Sequence, residues 1–428
     1  MRLSKLTLFF GALLLFGIPP CLQAQSSQTK GAHGFFHFTA SNLSGISRPH
    51  ELLRIGLKEI RSKYPTFNDN SFVVTCNGIE VPSQLDREWV DSTGRSILVL
   101  ASFAPYQKKK FVVTWSNDTA VRHRFKKMTQ AVLGMKVDYR KVNGYYTGGK
   151  FVDVDSTTVP GDHFAHDALY RIEGPGWESD KIVYRFYLDS RSRNDIFGKK
   201  IDGLVLQKLG VNDLVSNSKE SYTHMLDWGM DIYKVGESLG IGSIAMWSGS
   251  VPITVSDVHH IKCYVSENGP ILSGIFTKYI GWKSGGNTYD LYSHLTISAG
   301  SRLTRVDLTL KGKPSELCTG LAIHDSCDFI KSAAASKSEW KYIALYGKQS
   351  LSGDDLGTAV FYRGSDEVML TQDSLSQIVV LRPDNGKLIY YFGAAWQEEP
   401  GGIKNEKEFR KYLEETIVKL DNPIEVSL

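Results

Sequence analysis

Residues 259–312, HHIKCYVSENGPILSGIFTKYIGWKSGGNTYDLYSHLTISAGSRLTRVDLTLKG, decide the fold class. Long runs rich in β-branched and aromatic residues are interrupted by turn-forming residues at 266–270, 283–287 and 299–301. The pattern predicts about four or five successive antiparallel strands. Long consecutive hairpins are typical of a two-layer β-sandwich, so we predict an all-β protein built on a large antiparallel two-layer sandwich.

Shorter runs of the same kind lie upstream. SFVVTC, RSILVLASF and KFVVTWS are separated by turn signals such as Asn77–Gly78, and they predict a small N-terminal β module at residues 25–118. The segment HELLRIGLKEIRSKYP, residues 50–65, fits a helix or a strand equally well. The sandwich domain is then expected at residues 119–428.

One helix is predicted near the C terminus. Asn405 is a suitable N-cap, and Glu408 stands three residues later, as in a capping box. Apolar residues follow at helical spacing and form one stripe: Phe409, Tyr412, Leu413 and Ile417. We expect this helix to pack on the sandwich.

The first 24 residues predict a secretory signal peptide. Arg2 and Lys5 precede an apolar run from Leu6 to Ile18, and a small residue follows at Ala24. The apolar run is too short to span a bilayer. We therefore expect a periplasmic or secreted protein with no integral membrane segment after cleavage.

Composition limits the classes of partner and cofactor. A net charge of +4 on 428 residues is too weak a basic excess for nucleic-acid binding, although it permits an acidic small partner. Four cysteines remain after the leader, and Cys318 and Cys327 could form a disulfide or stay as free thiols like Cys76 and Cys263. No C-x-x-C pair is present, so a zinc site or a thioredoxin-type site has no support, and we expect no metal and no other cofactor. The sequence gives no indication of oligomeric state.

Residues 170–191, YRIEGPGWESDKIVYRFYLDSR, hold the first group of candidate site residues. Alternation in the predicted strand places apolar side chains on one face and polar side chains on the other. The apolar face holds Ile182, Tyr184, Phe186 and Leu188; the polar face holds Lys181, Arg185, Tyr187, Asp189 and Arg191. A face with this composition either lines a cleft or is solvated.

The turn before this strand indicates a sugar site. Residues 174–176, Gly-Pro-Gly, impose a tight backbone, and Trp177 follows beside Glu173, Glu178 and Asp180. An aromatic ring among carboxylates and cations is suited to a sugar, because the ring stacks while charged groups meet hydroxyls. The alternative is that Trp177 only fills the end of the sandwich.

Two further segments carry similar chemistry. HMLDWGMDIYKVG, residues 224–236, contains His224, Asp227, Trp228, Asp231 and Lys234, and we expect it to share a pocket with the Trp177 segment. DHFAHDALYR, residues 162–171, contains His163, His166, Asp167 and Arg171. His166 and Asp167 could form an oriented base, or the two histidines could be ordinary exposed residues. Their spacing with Asp162 matches no metal-ligand template.

Several of these segments resemble the bacterial family of domain of unknown function 4861. The resemblance rests on EGPGWESDK at 173–181 with the following YRFYLD, on DWGMD at 227–231 with Lys234 and Gly236, and on GAAW at 393–396; residues 48–51 and 81–84 also match. It implies a secreted carbohydrate-active protein with a galactose-mutarotase-like supersandwich. A family member in ulvan breakdown is an oligosaccharide dehydratase, which removes water from a non-reducing-end uronic acid and leaves a 4,5-unsaturated sugar.

This chemistry suggests roles for the candidate residues. Removal of the C5 proton requires neutralisation of the uronate carboxylate, for which Arg185 or Lys181 is suited. His166 or His224 is suited as the base, and Tyr187 as the proton donor or as an alternative base. Substrate binding is expected from Trp177, Glu173, Glu178, Asp180, Asp227, Trp228 and Arg171.

Two other classes remain open from the sequence. One is a glycoside hydrolase that uses a carboxylate pair, and the other is a glycan-binding protein without catalysis. The carboxylates available for such a pair are Glu173, Glu178, Asp180, Asp227 and Asp231. For the elimination mechanism, we expect Arg185→Ala to abolish turnover and leave the fold intact, because the predicted strand face around Arg185 is polar.

Overall fold

The computed structural model describes residues 32–86, 94–116, 121, 123, 125–211, 221–312, 316–333 and 336–428. Within these ranges the chain is mostly antiparallel β-strand. The predicted signal peptide at residues 1–24 lies outside the described residues and stays a prediction.

The N-terminal part forms seven strands and a short helix. Its elements are β1 (Ala32–Ser41), β2 (Arg48–Gly56), α1 (Leu57–Lys63), β3 (Phe72–Cys76), β4 (Ile79–Glu80), β5 (Ser83–Leu85), β6 (Ser96–Phe103) and β7 (Lys108–Ser116). The ambiguous segment 50–65 is thus a strand followed by a helix. Leu53 and Ile55 are buried at strand spacing, whereas Leu57 and Ile60 are buried at helical spacing.

The middle of the chain forms short strands. These are β8 (Thr129–Val132), β9 (Gly134–Val137), β10 (Arg140–Val142), β11 (Tyr145–Thr147), β12 (Lys150–Asp153), β13 (Ser156–Thr158), β14 (Gly176–Ser179), β15 (Val183–Phe186), β16 (Asn194–Lys199), β17 (Gly229–Asp231), β18 (Ala245–Trp247) and β19 (Pro252–Thr254). A 3₁₀ turn at Leu206–Lys208 follows β16.

Longer strands follow and end in a helix. They are β20 (His260–Asn268), β21 (Leu272–Ser284), β22 (Asn287–Ser298), β23 (Leu303–Lys311), β24 (Leu317–Ala322), β25 (Cys327–Lys331), β26 (Trp340–Gly347), β27 (Leu356–Arg363), β28 (Glu367–Gln372), β29 (Ser376–Leu381) and β30 (Lys387–Trp396), then α2 (Glu406–Asp421) and β31 (Glu425–Ser427). A second 3₁₀ turn, Gly364–Asp366, precedes β28.

The larger part of the protein has two layers. One layer is a nine-stranded sheet with the order β13-β20-β21-β22-β23-β30-β27-β26-β25. The other layer consists of two five-stranded sheets, β17-β16-β15-β14-β8 and β19-β18-β24-β29-β28. Side chains from all three sheets form one core that includes Tyr184, Leu321 and Val360. The prediction of an all-β antiparallel two-layer fold is confirmed.

The stretch 259–312 supplies four neighbouring strands of the nine-stranded sheet, β20 to β23. All three predicted turns fall between these strands, at 269–271, 285–286 and 299–302. Period-two burial marks β23, in which Thr304, Val306 and Leu308 are buried while the residues between them are more exposed. One face of the strand therefore meets the core.

The predicted C-terminal helix is confirmed, together with its cap. The Glu408 amide donates to Asn405 Oδ1 at 2.9 Å, and the Asn405 side-chain amide donates to Glu408 Oε1 at 3.0 Å. Phe409, Leu413 and Ile417 are buried against β26 and β27. These contacts fix α2 on the face of the nine-stranded sheet that lies away from the sandwich core.

The N-terminal strands enclose their own core. A five-stranded sheet, β31-β1-β7-β3-β4, packs against a three-stranded sheet, β2-β6-β5. Residues 424, 426 and 428 also pack against this core, because β31 pairs with β1. The predicted boundary near residue 118 falls within 117–120, outside the described residues, and stays a prediction.

The four cysteines among the described residues are free. Cys318 lies in β24 and Cys327 in β25, which belong to opposite layers of the sandwich. The structure therefore contradicts the proposed Cys318–Cys327 disulfide. Within the described ranges, none of the helices is both long and apolar enough to cross a membrane.

Candidate active site

The β15–β16 hairpin places Arg185 directly opposite Asp195. Its apolar face behaves as predicted, since Tyr184, Phe186 and Ile196 all join the sandwich core. Cross-strand partners project on the same side of a sheet, so Arg185 and Asp195 share the other face. A turn closes the hairpin, in which the Tyr187 amide donates to the Arg193 carbonyl at 2.9 Å.

Arg185 is buried and joins two carboxylates. Its Nη2 donates to Asp195 Oδ2 at 2.6 Å and to Asp231 Oδ2 at 2.7 Å, and its Nε donates to Asp195 Oδ2 at 3.0 Å. The same Nη2 lies 2.9 Å from the Tyr187 hydroxyl. Nη1 makes only longer contacts, to the Tyr222 hydroxyl at 3.4 Å and to Glu173 Oε2 at 3.5 Å. It is therefore the least engaged nitrogen of the guanidinium.

Asp231, one of the two carboxyl groups beside Arg185, has a raised pKa. Burial, followed by the charge of Asp195, raises the pKa of Asp231 to about 8, although Arg185 opposes the shift. Tyr187 donates its hydroxyl proton to Asp195 Oδ2 at 2.5 Å. Burial also raises the pKa of Tyr222 to about 12. Burial therefore favours the protonated forms of both Asp231 and Tyr222.

Glu173 connects this cluster to the surface. It accepts a hydrogen bond from Arg191 Nη2 at 2.8 Å, and its Oε1 lies 2.6 Å from His166 Nδ1. Arg191 also donates hydrogen bonds to Asp189 from Nε and Nη2, and its guanidinium lies 3.9 Å from the centre of the Tyr187 ring. The side chain of His166 is 73% exposed, that of Glu173 is 16% exposed and that of Asp195 is 1% exposed. The network thus runs from solvent into the interior.

The backbone around this network is constrained. His166 and Glu173 have φ values of 66° and 63°, which non-glycine residues rarely adopt. A Cβ on Gly174, whose φ is 156°, would meet the Phe186 carbonyl oxygen at 2.0 Å. The Leu188 amide donates to the Glu173 carbonyl at 2.9 Å, which ties the turn to the strand. The glycine therefore allows the turn to hold Glu173 over Arg185.

The prediction that Trp177 stacks on a sugar is wrong. Trp177 is completely buried in the sandwich core, where its Nε1 donates to Thr304 Oγ1 at 2.8 Å. A ring with no exposed face cannot meet a ligand. The structure supports the alternative, in which Trp177 fills the interior between the layers.

The prediction that Glu178 binds substrate is also contradicted by burial. Glu178 accepts hydrogen bonds from Lys199 Nζ at 3.0 Å and from the Val205 and Leu206 amides at 3.0 Å and 2.7 Å. The side chains of Glu178 and Lys199 are both 0% exposed. Through these contacts Glu178 holds the segment around Val205 and Leu206 against the sheet that contains β14.

Asp180 and Lys181 lie apart from the Arg185 network. Asp180 accepts a hydrogen bond from the Gly300 amide at 2.6 Å. Lys181 Nζ lies 3.9 Å from Asp180 and 3.7 Å from Asp202, at the opposite end of the strand from the turn that carries Arg191. The structure therefore does not bring Lys181 and Arg185 together as a pair of cations.

The histidine partners differ from the prediction. Asp167 pairs with His163, whose Nδ1 lies 2.7 Å from Asp167 Oδ2, and His166 pairs with Glu173 instead. His166 is therefore oriented by a carboxylate, as predicted, but that carboxylate belongs to Glu173 and not to Asp167. Arg171 is buried beside Asp153 at 3.4 Å and donates to the Leu206 carbonyl, so its side chain has structural partners.

The segment 221–231 contributes to the network through two residues. Asp231 and Tyr222 both approach Arg185, and the Asp231 amide donates to the Tyr222 carbonyl at 2.8 Å. His224 and Asp227 are exposed, and half-buried Trp228 packs against Phe197. The two segments therefore meet at Arg185, which contacts Glu173 from one and Asp231 from the other. The roles of His224, Asp227 and Trp228 stay predictions.

Asp195 and Tyr222 are not among the candidate residues from the sequence, which places Arg191 on the polar strand face without giving it a role. A turn is indicated by DSRSRN, residues 189–194, between two strands of alternating pattern. A hairpin closed by this turn places Arg185 opposite Asp195. No local pattern marks Tyr222. Among the residues that the structure describes, no group of His, Cys, Asp and Glu side chains is arranged to hold a metal ion.

Comparisons with known proteins identify relatives of the chain. The family model described as "Domain of unknown function (DUF4861)" matches residues 40–426. A protein of Formosa agariphila named "Uncharacterized protein P7" is 27% identical over 308 residues, which cover 65% of this chain and 72% of the relative.

Two solved structures from Enterococcus faecalis are more distant. An alpha-mannosidase of strain V583 aligns with a TM-score of 0.44 and 8% identity, over 92% of this chain and 46% of the mannosidase. A protein in the Glycosyl Hydrolase Family 38 aligns with a TM-score of 0.43 and 8% identity, over 91% of this chain and 47% of that protein. The chain thus spans less than half the length of either protein, and neither likeness informs activity.

Proposed function

This chain belongs to the DUF4861 family, and from that premise and the groups around Arg185 we propose that it is an exported, carbohydrate-active carbon–oxygen lyase. Its substrate is an oligosaccharide with a uronic acid at the non-reducing end. Its product carries a 4,5-unsaturated uronic acid. The observation that carries the proposal is Glu173, which contacts Arg185, Arg191 and the exposed His166 at once.

The first requirement of the reaction is a partner for the uronate carboxylate. The C5 proton becomes acidic only when the charge of the neighbouring carboxylate is neutralised. Arg185 Nη1 is the least engaged nitrogen of its guanidinium, and Arg191 lies at the more exposed edge of the network. We assign the uronate carboxylate to these two arginines, so that Arg185 keeps the role expected from the sequence and Arg191 takes the place of the other candidate, Lys181.

The second requirement is a base and a proton donor. His166 is exposed, and Glu173 holds its Nδ1, which leaves Nε2 to accept the C5 proton. The electron pair then forms the C4–C5 double bond while the C4–O bond breaks. Tyr222 gives a proton to the departing oxygen, because its raised pKa keeps it protonated. Tyr187 is less suited as the donor, since its hydroxyl proton points to Asp195.

Hydrolysis by a carboxylate pair is less compatible with this geometry. Asp195 and Asp231 both accept a hydrogen bond from the same Arg185 nitrogen. The guanidinium therefore occupies the space that a sugar ring needs between two catalytic carboxyl groups. This arrangement favours elimination over hydrolysis.

The test uses oligosaccharides that end in glucuronic or iduronic acid, with the same compounds carrying a reduced terminal carboxyl group as controls. We expect ultraviolet absorbance from a conjugated product and a mass loss of one water, only with the acidic substrates. A shortened product with the same absorbance identifies a sugar as the leaving group. A new reducing end without absorbance would support hydrolysis, and binding without reaction would support a non-catalytic protein.

The role of the base is tested by substitution. We expect His166→Ala to lower kcat by about 10²-fold or more, the usual contribution of a general base. The matched control is His260→Ala, since His260 is an exposed histidine on β20, outside the Arg185 network. Equal activity of the two variants would remove His166 from the mechanism.

A further inference from the structure

The β10–β11 hairpin presents aromatic side chains that the Arg185 network does not use. Tyr145 is 48% exposed and Val142 is 49% exposed, and the two are cross-strand partners on one face of the hairpin. Phe164 is 37% exposed, and its ring contacts that of Tyr145 edge to face at 5.2 Å between centroids. Tyr145 and Phe164 thus form an exposed aromatic step.

This aromatic step adjoins the candidate active site through one loop. Phe164 and His166 are two residues apart, so their Cα atoms are at most about 7 Å from each other. The Phe164 amide donates to Asp167 Oδ2 at 3.3 Å, and the Tyr146 amide donates to the Asp167 carbonyl at 2.8 Å. Asp167 therefore ties both the hairpin and the Phe164 backbone to the loop that carries His166.

The hairpin that carries Tyr145 also carries basic side chains. Arg140 is exposed on the same face of the hairpin as Tyr145, and Lys150 is exposed just after the hairpin. Lys141 is on the opposite face, where it contacts Asp162 and the Tyr146 ring. Aromatic rings can stack on sugar rings, while the neighbouring cations attract acidic groups.

We propose that Tyr145, Phe164 and Arg140 form a binding subsite for an acidic oligosaccharide, where the third and fourth sugars from the non-reducing end are held. The inference rests on the proposed function, which places the reacting sugar at His166 and so sets the direction in which the later sugars extend along the hairpin. The subsite increases affinity for longer chains and takes no part in proton transfer.

Kinetics on two substrate lengths test the subsite. The probes are a uronate-terminated disaccharide and a tetrasaccharide of the same alternating acidic and neutral sugars. We expect Tyr145→Ala to raise KM for the tetrasaccharide at least about fivefold, the scale of one aromatic contact, with kcat and the disaccharide KM unchanged. The matched control is Tyr106→Ala, because Tyr106 is 74% exposed in the N-terminal module. An unchanged tetrasaccharide KM, or an equal rise for both substrates, would overturn the subsite.

Calorimetric binding of the tetrasaccharide separates this proposal from the proposed reaction. Weaker binding by Tyr145→Ala, in a protein that causes no elimination, would support the subsite and reject the lyase. Arg140→Gln should weaken binding of the acidic tetrasaccharide and leave that of a neutral one unchanged. If Tyr145→Ala instead dissociates a dimer in sedimentation velocity with no loss of sugar binding, the surface is a self-association site and the proposal fails.

Discussion

Arg185 shows how burial changes the meaning of a charged residue. The sequence places it on the polar face of a strand, and the expectation of an intact fold for Arg185→Ala rested on the polarity of that face. The guanidinium is instead buried with Asp195 and Asp231. Removing it leaves two buried carboxyl groups without their cation, a change that typically costs about 3–5 kcal/mol. A loss of activity in Arg185→Ala would therefore not separate unfolding from loss of the catalytic group. Substitution of the exposed His166 tests the mechanism with less effect on stability.

Asp231 gives a pH prediction at the residue scale. Its pKa is raised to about 8 in the folded protein, mainly by burial and then by Asp195, whereas an unfolded chain has an aspartate pKa of about 3.9. Between these values the folded state holds a proton that the unfolded state releases. The contribution of Asp231 to stability is therefore fully present below about pH 4 and is lost as pH rises toward 8.

Asp231→Asn should remove this dependence. We expect the free energy of unfolding to fall less steeply between pH 5 and pH 8 in the variant, by up to about 1.4 kcal/mol per pH unit. Urea denaturation at each pH measures the slope. Asp227→Asn is the control, since Asp227 is exposed in the same segment and should leave the slope unchanged. Parallel curves for wild type and Asp231→Asn would contradict the assigned proton.

At the scale of elements, Glu178 joins three parts of the chain. It lies on β14, pairs with Lys199 on β16, and accepts the Val205 and Leu206 amides at the 3₁₀ turn. Lys199 also donates to the Ser179 and Gly203 carbonyls at 2.5 Å and 2.6 Å. The segment that covers the sheet is thus anchored by one satisfied polar cluster.

Glu178→Gln should therefore destabilise the protein without a specific effect on substrate binding. Loss of one partner of a buried ion pair costs about 3–5 kcal/mol, because the other charge remains buried. Urea denaturation measures the loss, and KM on a uronate-terminated substrate should stay unchanged at temperatures where the variant is folded. The control is Glu316→Gln, whose partner Arg382 is 67% exposed. A raised KM with normal stability would restore the substrate-binding role predicted from the sequence.

The elements that the sequence predicts well are those specified by local pattern. The strands of 259–312 and the cap at Asn405 follow from alternation and from residues within a few positions. The polar face of β15 is different, since its environment depends on residues 200–211 and 221–231, which fold over it from elsewhere. Trp177 fails for the same reason, because its partner Thr304 is 127 residues away. Residue types identified the region of the site, whereas long-range packing decided which side chains meet.

At the scale of the whole molecule, the last strand returns to the first strand that the structure describes. The final strand, β31, pairs with β1 in the N-terminal sheet, although α2 just before it packs on the sandwich. Residues 424–428 also enter the N-terminal core. No local pattern predicts this return. Residues 406–428, which form α2 and β31, therefore pack against both the sandwich and the N-terminal core.

Arg48 strengthens this connection. It is buried on β2, where its Nη1 donates to the Asn422 carbonyl at 2.7 Å and its Nη2 to the Lys419 carbonyl at 3.4 Å. Its Nε donates to Glu51 at 2.9 Å, which fixes the guanidinium. One side chain of the N-terminal module thus caps the C-terminal end of a helix that belongs to the sandwich.

Arg48→Gln should separate the unfolding of the two parts. A shorter neutral side chain loses the helix-end contacts and leaves Glu51 without its cation, for a loss of about 1–3 kcal/mol. Hydrogen exchange in increasing urea should then show β1 and β6 opening before β22, because α2 and β31 couple the cores less tightly. Arg54→Gln is the control on the same strand, since Arg54 is 44% exposed beside Asp86 and such surface pairs contribute about 0–1 kcal/mol. If β1 and β22 lose protection together in Arg48→Gln, as in the control, the two cores are coupled by contacts other than this arginine.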